Sequence, residues 1–167
     1  MARPDQCEIE RRMARFEGVC REAGLRLTHQ RMEIFREVAR AADHPDADTV
    51  HRRVRERMPT VSLDTVYRTL WLLEDLGLVA TLGPSRGRAR FDANLDRHHH
   101  FVCVRCGMTR DFHDETLDDL ALPRAARAFG RIEATLVEVR GICHECSRKN
   151  AETGNRMNRR RNHGQEE

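Results

Sequence analysis

The spacing of apolar residues divides the chain into two parts. Ile9, Met13, Phe16, Cys20 and Ala23 recur at helical intervals, predicting an amphipathic first helix that stops at Gly24. After Leu25-Arg26-Leu27, Thr28 stands where it can cap a second helix that carries Ile34, Phe35 and Val38 inward. His44-Pro45-Asp46 then breaks the chain. Asp46 is placed to cap a third helix, with Ala47, Val50, Val54 and Met58 on one side, that ends before Pro59. Ser62 caps a fourth, from Leu63 to about Gly77, whose apolar stripe is Val66, Leu70 and Leu73. Two short apolar runs follow, Leu78–Leu82 and the return to Phe91, joined by a Gly/Pro turn; they predict a hairpin.

Beyond Phe91 the period changes. His100–Val104 and Met108–His113 predict strands around the Cys106-Gly107 turn. Leu117, Leu120, Ala121, Ala125 and Ala128 suggest a helix that Pro123 either kinks or starts. Ile132–Arg140, rich in Val, Ile and Leu, reads as a further strand running into Cys143. This second part has too few apolar positions to stand comfortably alone, and a bound metal and self-association would both compensate. From Ala151 the tail, with Arg156 and Arg159-Arg160-Arg161 among Asn, Gly and Gln, reads as disordered. The expected fold class is therefore α+β, a helical N-terminal half with a hairpin followed by a small α/β unit.

A length of 167 residues fits one large domain or two small ones, and 39% hydrophobic against 34% charged residues keeps each core compact. No apolar run approaches membrane-spanning length. The start, Met1-Ala2-Arg3-Pro4, lacks the apolar core of a signal peptide, so a cytoplasmic location is expected and no membrane partner. The net charge of +3 is modest, so any nucleic-acid surface must be local. In a reducing compartment the six cysteines point to metal before disulfides. Cys7 and Cys20 stand apart and read as packing or solvent-facing thiols.

Two Cys-x-x-Cys pairs, Cys103/Cys106 and Cys143/Cys146, supply four soft ligands, the set of a closed structural Zn²⁺ site. The gap between the pairs exceeds that of a simple zinc ribbon, so folded structure should lie between them. Immediately upstream is His98-His99-His100. In extended chain His98 and His100 share a face and His99 takes the other. With Asp92 and Asp111 nearby in sequence, imidazole and carboxylate without sulfur suit Fe²⁺, Mn²⁺ or Zn²⁺. A His run is equally read as a solvated loop, and composition does not choose between the two.

The fourth helix shows Asp64, Thr65, Tyr67 and Arg68 in its first turns, as a recognition helix does, although an ordinary surface helix shows the same pattern. The hairpin after it carries Arg86, Arg88 and Arg90. Helices followed by a basic hairpin make a winged helix, in which helix and wing approach DNA together. Arg11, Arg12 and Arg15 on the first helix read either as phosphate contacts or as a solvated face.

Taken in order, these motifs resemble the ferric uptake regulator (Fur) family. The resemblance runs from about Val19 to Cys146. It rests on His44-Pro45-x-Ala47-Asp48, Ser62-x-x-Thr65-Val66-Tyr67-x-x-Leu70, Gly77-Leu78-Val79, Arg90-Phe91-Asp92, His98-x-His100-x-x-Cys103-x-x-Cys106-Gly107 and Cys143-x-x-Cys146. It implies a winged-helix DNA-binding domain over 1–91, with a hinge near 85–95, and a metal-binding dimerisation domain over 92–149; the tail is 150–167. It also implies a regulatory Fe²⁺ or Mn²⁺ held by His44, Asp92, His98, His100 and Asp111, beside the structural Zn²⁺. Ser62, Thr65, Tyr67, Arg68 and Arg86 would contact operator DNA, with the protein acting as a homodimer.

Within the family, Asp111 and the Asp92-to-His100 spacing resemble the peroxide-sensing (PerR) branch. There Fe²⁺ reacts with hydrogen peroxide and a ligand histidine becomes 2-oxo-histidine; the matching targets are His44 and His98. The implied function is a metal-dependent repressor sensing peroxide, with an iron- or zinc-responsive repressor as the nearest competitor. A non-haem iron enzyme would use a similar ligand set, but no organic-substrate motif accompanies it, so neither enzymatic activity nor a small organic substrate is expected. Arg97 and Thr135 stand where relatives often carry histidines, which argues against an additional metal site. His99 and His113 are expected at the surface or behind the ligands. Arg68 differs from the asparagine of some peroxide sensors, so no operator sequence carries over.

Overall fold

The computed structural model describes residues 3–82, 89–132 and 135–149. It divides into two compact units, one ending at Asp96 and one beginning at Arg97. The division falls somewhat later than the expected boundary at 91–92. Phe91 and Ala93 are buried in the first unit's core, and Asp92 pairs with Ala80 in its hairpin.

In the first unit the four expected helices form: α1 (Gln6–Glu22), α2 (His29–Ala39), α3 (Ala47–Arg55) and α4 (Leu63–Asp75). Each starts at a side-chain oxygen that accepts a backbone N–H otherwise lacking a partner. The three expected caps, Thr28, Asp46 and Ser62, do this at α2, α3 and α4, and Asp5 does it at α1. Gly24 lies at φ 65°, where a side chain is disfavoured, and lets Leu25 N–H reach back to Cys20 O at 2.8 Å to close α1.

The apolar stripes converge on one core. Phe16 stacks on Phe35 at 4.7 Å between ring centroids, and Ile34, Val50, Val54, Val66, Leu70 and Leu73 are sealed around them. Strands β1 (Ala80–Leu82) and β2 (Arg90–Asp92) pair antiparallel, Thr81 opposite Phe91. The segment 83–88, where the tip of the expected hairpin with Arg86 and Arg88 falls, lies outside the described residues.

One feature of α2 escapes a binary pattern. Glu33 and Glu37, one turn apart, are buried and meet arginines rather than water. Arg57 bridges them, Nε to Glu33 at 3.0 Å and Nη2 to Glu37 at 2.9 Å, while Arg36 and Arg40 pair with Glu33 and Glu37 respectively. Burial pushes the Glu33 carboxyl up, but Arg57 and Arg36 overcome it and hold it below the usual carboxylate range.

The second unit is built on a three-stranded sheet of order β4-β3-β5, with β3 His99–Cys103, β4 Thr109–Phe112 and β5 Glu138–Gly141. β3 and β4 form a hairpin, whereas β5 runs parallel to β3 and so requires a crossover. Among the described residues that crossover contains two helices, α5 (Glu115–Asp118) and α6 (Arg124–Arg127), rather than the one suggested by the apolar spacing. Pro123 stands at the N-cap of α6, so it starts a helix. The expected strand over Ile132–Arg140 is regular only from Glu138, and residues 133–134 lie outside the described set. Residues 144–149 are helical.

The two interiors differ in kind. Among the described residues of the second unit, the buried side chains are Cys103, Cys143, His98, His99, His100 and Thr109, with almost no hydrocarbon. Several of its larger apolar residues, Leu136, Val139, Ile142 and the 92% exposed Phe129, face outward. Among the described residues, no helix is long and apolar enough to cross a membrane.

Candidate metal centres

The thiol cluster is assembled by strand register. Cys103 ends β3 and lies opposite Gly141 at the end of β5, so the Cys103/Cys106 knuckle and the Cys143/Cys146 pair meet. Gly141 permits the approach, since a Cβ there would sit 2.9 Å from Cε2 of Phe101. All four Sγ atoms lie within 4.8 Å of one another, and Cys106 and Cys143 are 3.8 Å apart. Tetrahedral Zn²⁺ with Zn–S bonds of about 2.3 Å places its sulfurs about 3.8 Å apart. A disulfide would need about 2.05 Å, and all four thiols are free.

Their protonation points the same way. Backbone N–H groups of Cys106, first, and of Cys143 pull the Cys103 thiol down to about 6. Hydrogen bonds to its thiol neighbours, Cys106 first, push Cys146 up to about 12. Sulfurs this close cannot all ionise without a cation among them, and a soft divalent ion displaces those protons. The donor set fits Zn²⁺.

On the same strand, His98 and His100 turn to one face, as alternation requires. Their Nε2 atoms are 2.9 Å apart. The β3/β4 register sets His100 opposite Asp111, whose Oδ1 lies 3.5 Å from His100 Nε2 and 3.8 Å from His98 Nε2. Both histidines are buried, which removes the solvated-loop reading of the run. Two imidazoles and a carboxylate turned on one point out of water fit an ion such as Fe²⁺, Mn²⁺ or Zn²⁺.

His99 takes the other face and is buried, which leaves the second of its two expected places, behind the ligands, and removes the surface one. It is 0% exposed, with Nε2 3.4 Å from Asp118 Oδ1 and Nδ1 accepting Val137 N–H at 3.4 Å. Asp118, which the sequence reading did not single out, also takes Arg97 Nε at 3.1 Å. It lies on α5, and only the crossover brings it under β3. His113 is exposed.

The first unit carries its own histidine–carboxylate pair. His44 Nε2 is 3.3 Å from Asp92 Oδ2, both side chains are buried, and Asp92 Oδ1 accepts Asn94 N–H at 2.7 Å. His44 has φ 47°, the left-handed region, at a cost of about 1–3 kcal/mol for a residue other than glycine. It precedes Pro45, which narrows its conformations further.

At α4, Ser62 Oγ accepts Thr65 N–H and also lies 2.8 Å from Thr65 Oγ1. Tyr67 is half-buried and donates to Asp48 Oδ2 at 3.5 Å; burial, and then Asp48, raise its pKa, so it stays a neutral donor. Arg68 is 82% exposed, with Asp64 3.7 Å away. Arg86 lies outside the described residues. The α1 arginines are engaged within the protein: Arg11 pairs with Glu8 and Asp96, and Arg12 with Glu8 and Ala39 O.

Residues 22–139 match the model of the ferric uptake regulator family. The peroxide-responsive repressor PerR of Staphylococcus epidermidis is 34% identical over 128 residues, covering 75% of this chain and 84% of that protein. A solved zinc-bound manganese uptake regulator aligns with a TM-score of 0.59 at 32% identity, covering 76% of this chain and 97% of that one. A zinc uptake regulator solved with zinc and DNA aligns with a TM-score of 0.59 at 26% identity, covering 86% and 97%.

Proposed function

The chain belongs to the ferric uptake regulator family, and on that premise we propose that it is a metal-dependent, homodimeric DNA-binding repressor that senses hydrogen peroxide through iron. The observation that carries the reading is the division of buried imidazole and carboxylate between the two units. His44 and Asp92 belong to the first, and His98, His100 and Asp111 to the second. Two imidazoles and a carboxylate can hold Fe²⁺ or Mn²⁺ with positions left open, and His44 and Asp92 would supply two further donors from the first unit. One regulatory ion drawing on all five would fix the angle between the units. Only the loaded dimer would then present two α4 helices at operator half-site spacing. The outward apolar residues of the second unit support self-association, and Cys103, Cys106, Cys143 and Cys146 would hold structural Zn²⁺.

Similarity to PerR supports peroxide as the signal. Bound Fe²⁺ would supply electrons to hydrogen peroxide, a reaction Mn²⁺ does not readily support. The imidazoles of His44 and His98 are the targets. A ring that gains oxygen is a poorer donor, and losing it frees the hinge and lowers operator affinity. The test is peptide mass spectrometry of Fe²⁺-loaded protein after mild peroxide, with Mn²⁺-loaded protein as control. One added oxygen on His44 or His98, only with iron and together with lost DNA binding, is the expected result. Unmodified histidines with undiminished binding would leave an iron- or zinc-responsive repressor.

At the DNA face, Arg68→Ala should weaken binding to a duplex selected from a random pool by the Mn²⁺-loaded protein. The slope of log affinity on log salt should fall by about one if Arg68 touches a phosphate. An unchanged slope and affinity, read by fluorescence anisotropy at several salt concentrations, would remove Arg68 from the interface.

A further inference from the structure

Arg90 stands at the start of β2, yet its guanidinium is spent on the segment that carries His44. Nη1 donates to His44 O at 3.0 Å and to Asp43 O at 3.3 Å. The adjacent backbone joins in: Asp46 and Arg90 form an isolated antiparallel bridge, and Phe91 N–H donates to Pro45 O at 3.1 Å. From the other side Arg53 of α3 grips the Asp43 carboxylate with both nitrogens, at 3.2 and 2.6 Å. A left-handed, pre-proline histidine persists only where its surroundings over-determine it, and these contacts surround it.

We propose that Arg90 is a positioning residue for the regulatory metal: it clamps the carbonyls of Asp43 and His44, holds His44 left-handed with Nε2 toward Asp92, and couples that ligand to the DNA-reading helices. The coupling is short. The segment that begins at His44 ends at Asp46, whose carboxylate caps α3 through Thr49 N–H at 2.8 Å. In the first turn of α3, Asp48 accepts from Tyr67 of α4 at 3.5 Å. A displacement of the imidazole is therefore delivered to the start of α3 and from there to α4. Both carbonyls are met by the one nitrogen Nη1, so a lysine ammonium, a single nitrogen on a more flexible stem, should replace the clamp only in part.

The inference rests on the metal-dependent reading, and a double-mutant cycle separates the two. Arg90→Met should weaken Mn²⁺ binding about 10–100-fold, as loss of a ligand's supporting contacts does. In a His44→Ala background the same change should cost less than about twofold, because Arg90 then has no ligand to position. In metal-free protein, Arg90→Met should speed amide exchange at Phe91 and Thr49 while α1 exchanges as before. Arg90→Lys should fall between Arg90→Met and the parent in Mn²⁺ affinity, and it carries the test if the methionine variant fails to fold. Unchanged Mn²⁺ affinity, equal losses in both backgrounds, or unaltered exchange at Phe91 and Thr49 would overturn the clamp. Failure of the wild-type protein to bind Mn²⁺ would overturn the metal-dependent reading instead, and the metal-free exchange would still judge Arg90's hold.

Discussion

Cys143→Ser is expected to abolish zinc binding and to unfold the C-terminal unit while the N-terminal unit keeps its helices. The reason is the composition of the two interiors. The N-terminal unit closes on Phe16, Phe35, Ile34, Leu70, Leu73 and Phe91, all nearly sealed from water, and that burial does not depend on the thiols. The C-terminal unit buries thiols and imidazoles in place of hydrocarbon, so the proposed zinc would supply what apolar burial does not. Apparent binding energies in zinc-finger peptides are about 10–16 kcal/mol near neutral pH, more than a unit of this size can lose. Elemental analysis should fall from about one structural zinc per chain to none. The thermal unfolding profile should split, with the helical signal of α1–α4 surviving past loss of the sheet. Retained zinc in the serine variant, or a single cooperative melt close to that of the wild type, would remove the four-thiolate assignment.

His100→Ala is expected to leave the zinc in place and to return Mn²⁺-dependent DNA affinity to the metal-free level. His100 sits on the strand that ends in Cys103, yet its ring faces His98 and Asp111, 2.9 and 3.5 Å away. Deleting the imidazole removes a donor from the proposed regulatory set without touching a sulfur. Coupling between effector and ligand sites in allosteric proteins runs at about 5–150-fold, and loss on that scale should appear in anisotropy titrations with Mn²⁺. The exposed His113 is the control, and His113→Ala should titrate like the parent. If His100→Ala responds to Mn²⁺ as the parent does, the ion is held elsewhere. If it loses zinc as well, His100 supports the sheet rather than the regulatory ion.

His99, for which the sequence left surface and interior both open, shows where one-dimensional reading stops. Alternation along an extended strand sent His99 away from its neighbours, and it does point away. What alternation could not say is that this second face is covered. The cover is α5, through Asp118 with Arg97 on the same carboxylate, and its position depends on a crossover whose length and path no local pattern encodes. Glu33 and Glu37 make the same point in the other unit. A binary pattern sends carboxylates to water; Arg36 and Arg40 of α2 itself meet them in part, and Arg53 of α3 and Arg57 just after it bring the further partners that make their burial tolerable.

What the sequence determined by itself is what local physics controls. Helix starts at Thr28, Asp46 and Ser62 follow from side chains that can accept a backbone N–H, and the stop at Gly24 from a residue free to turn left-handed. The stripes on α1 to α4 follow from a period that needs no partner to be read, and the two thiol pairs from a spacing that suits a soft ion. Tertiary structure alone decided which groups meet. It set β5 parallel to β3 so that Cys143 lies 3.8 Å from Cys106, brought Asp111 across a hairpin to His100, and laid Arg90 over the carbonyl of a residue 46 positions earlier. Those pairings are consequences of register and crossover, set by the packing of whole elements, and separation along the chain carries no trace of them.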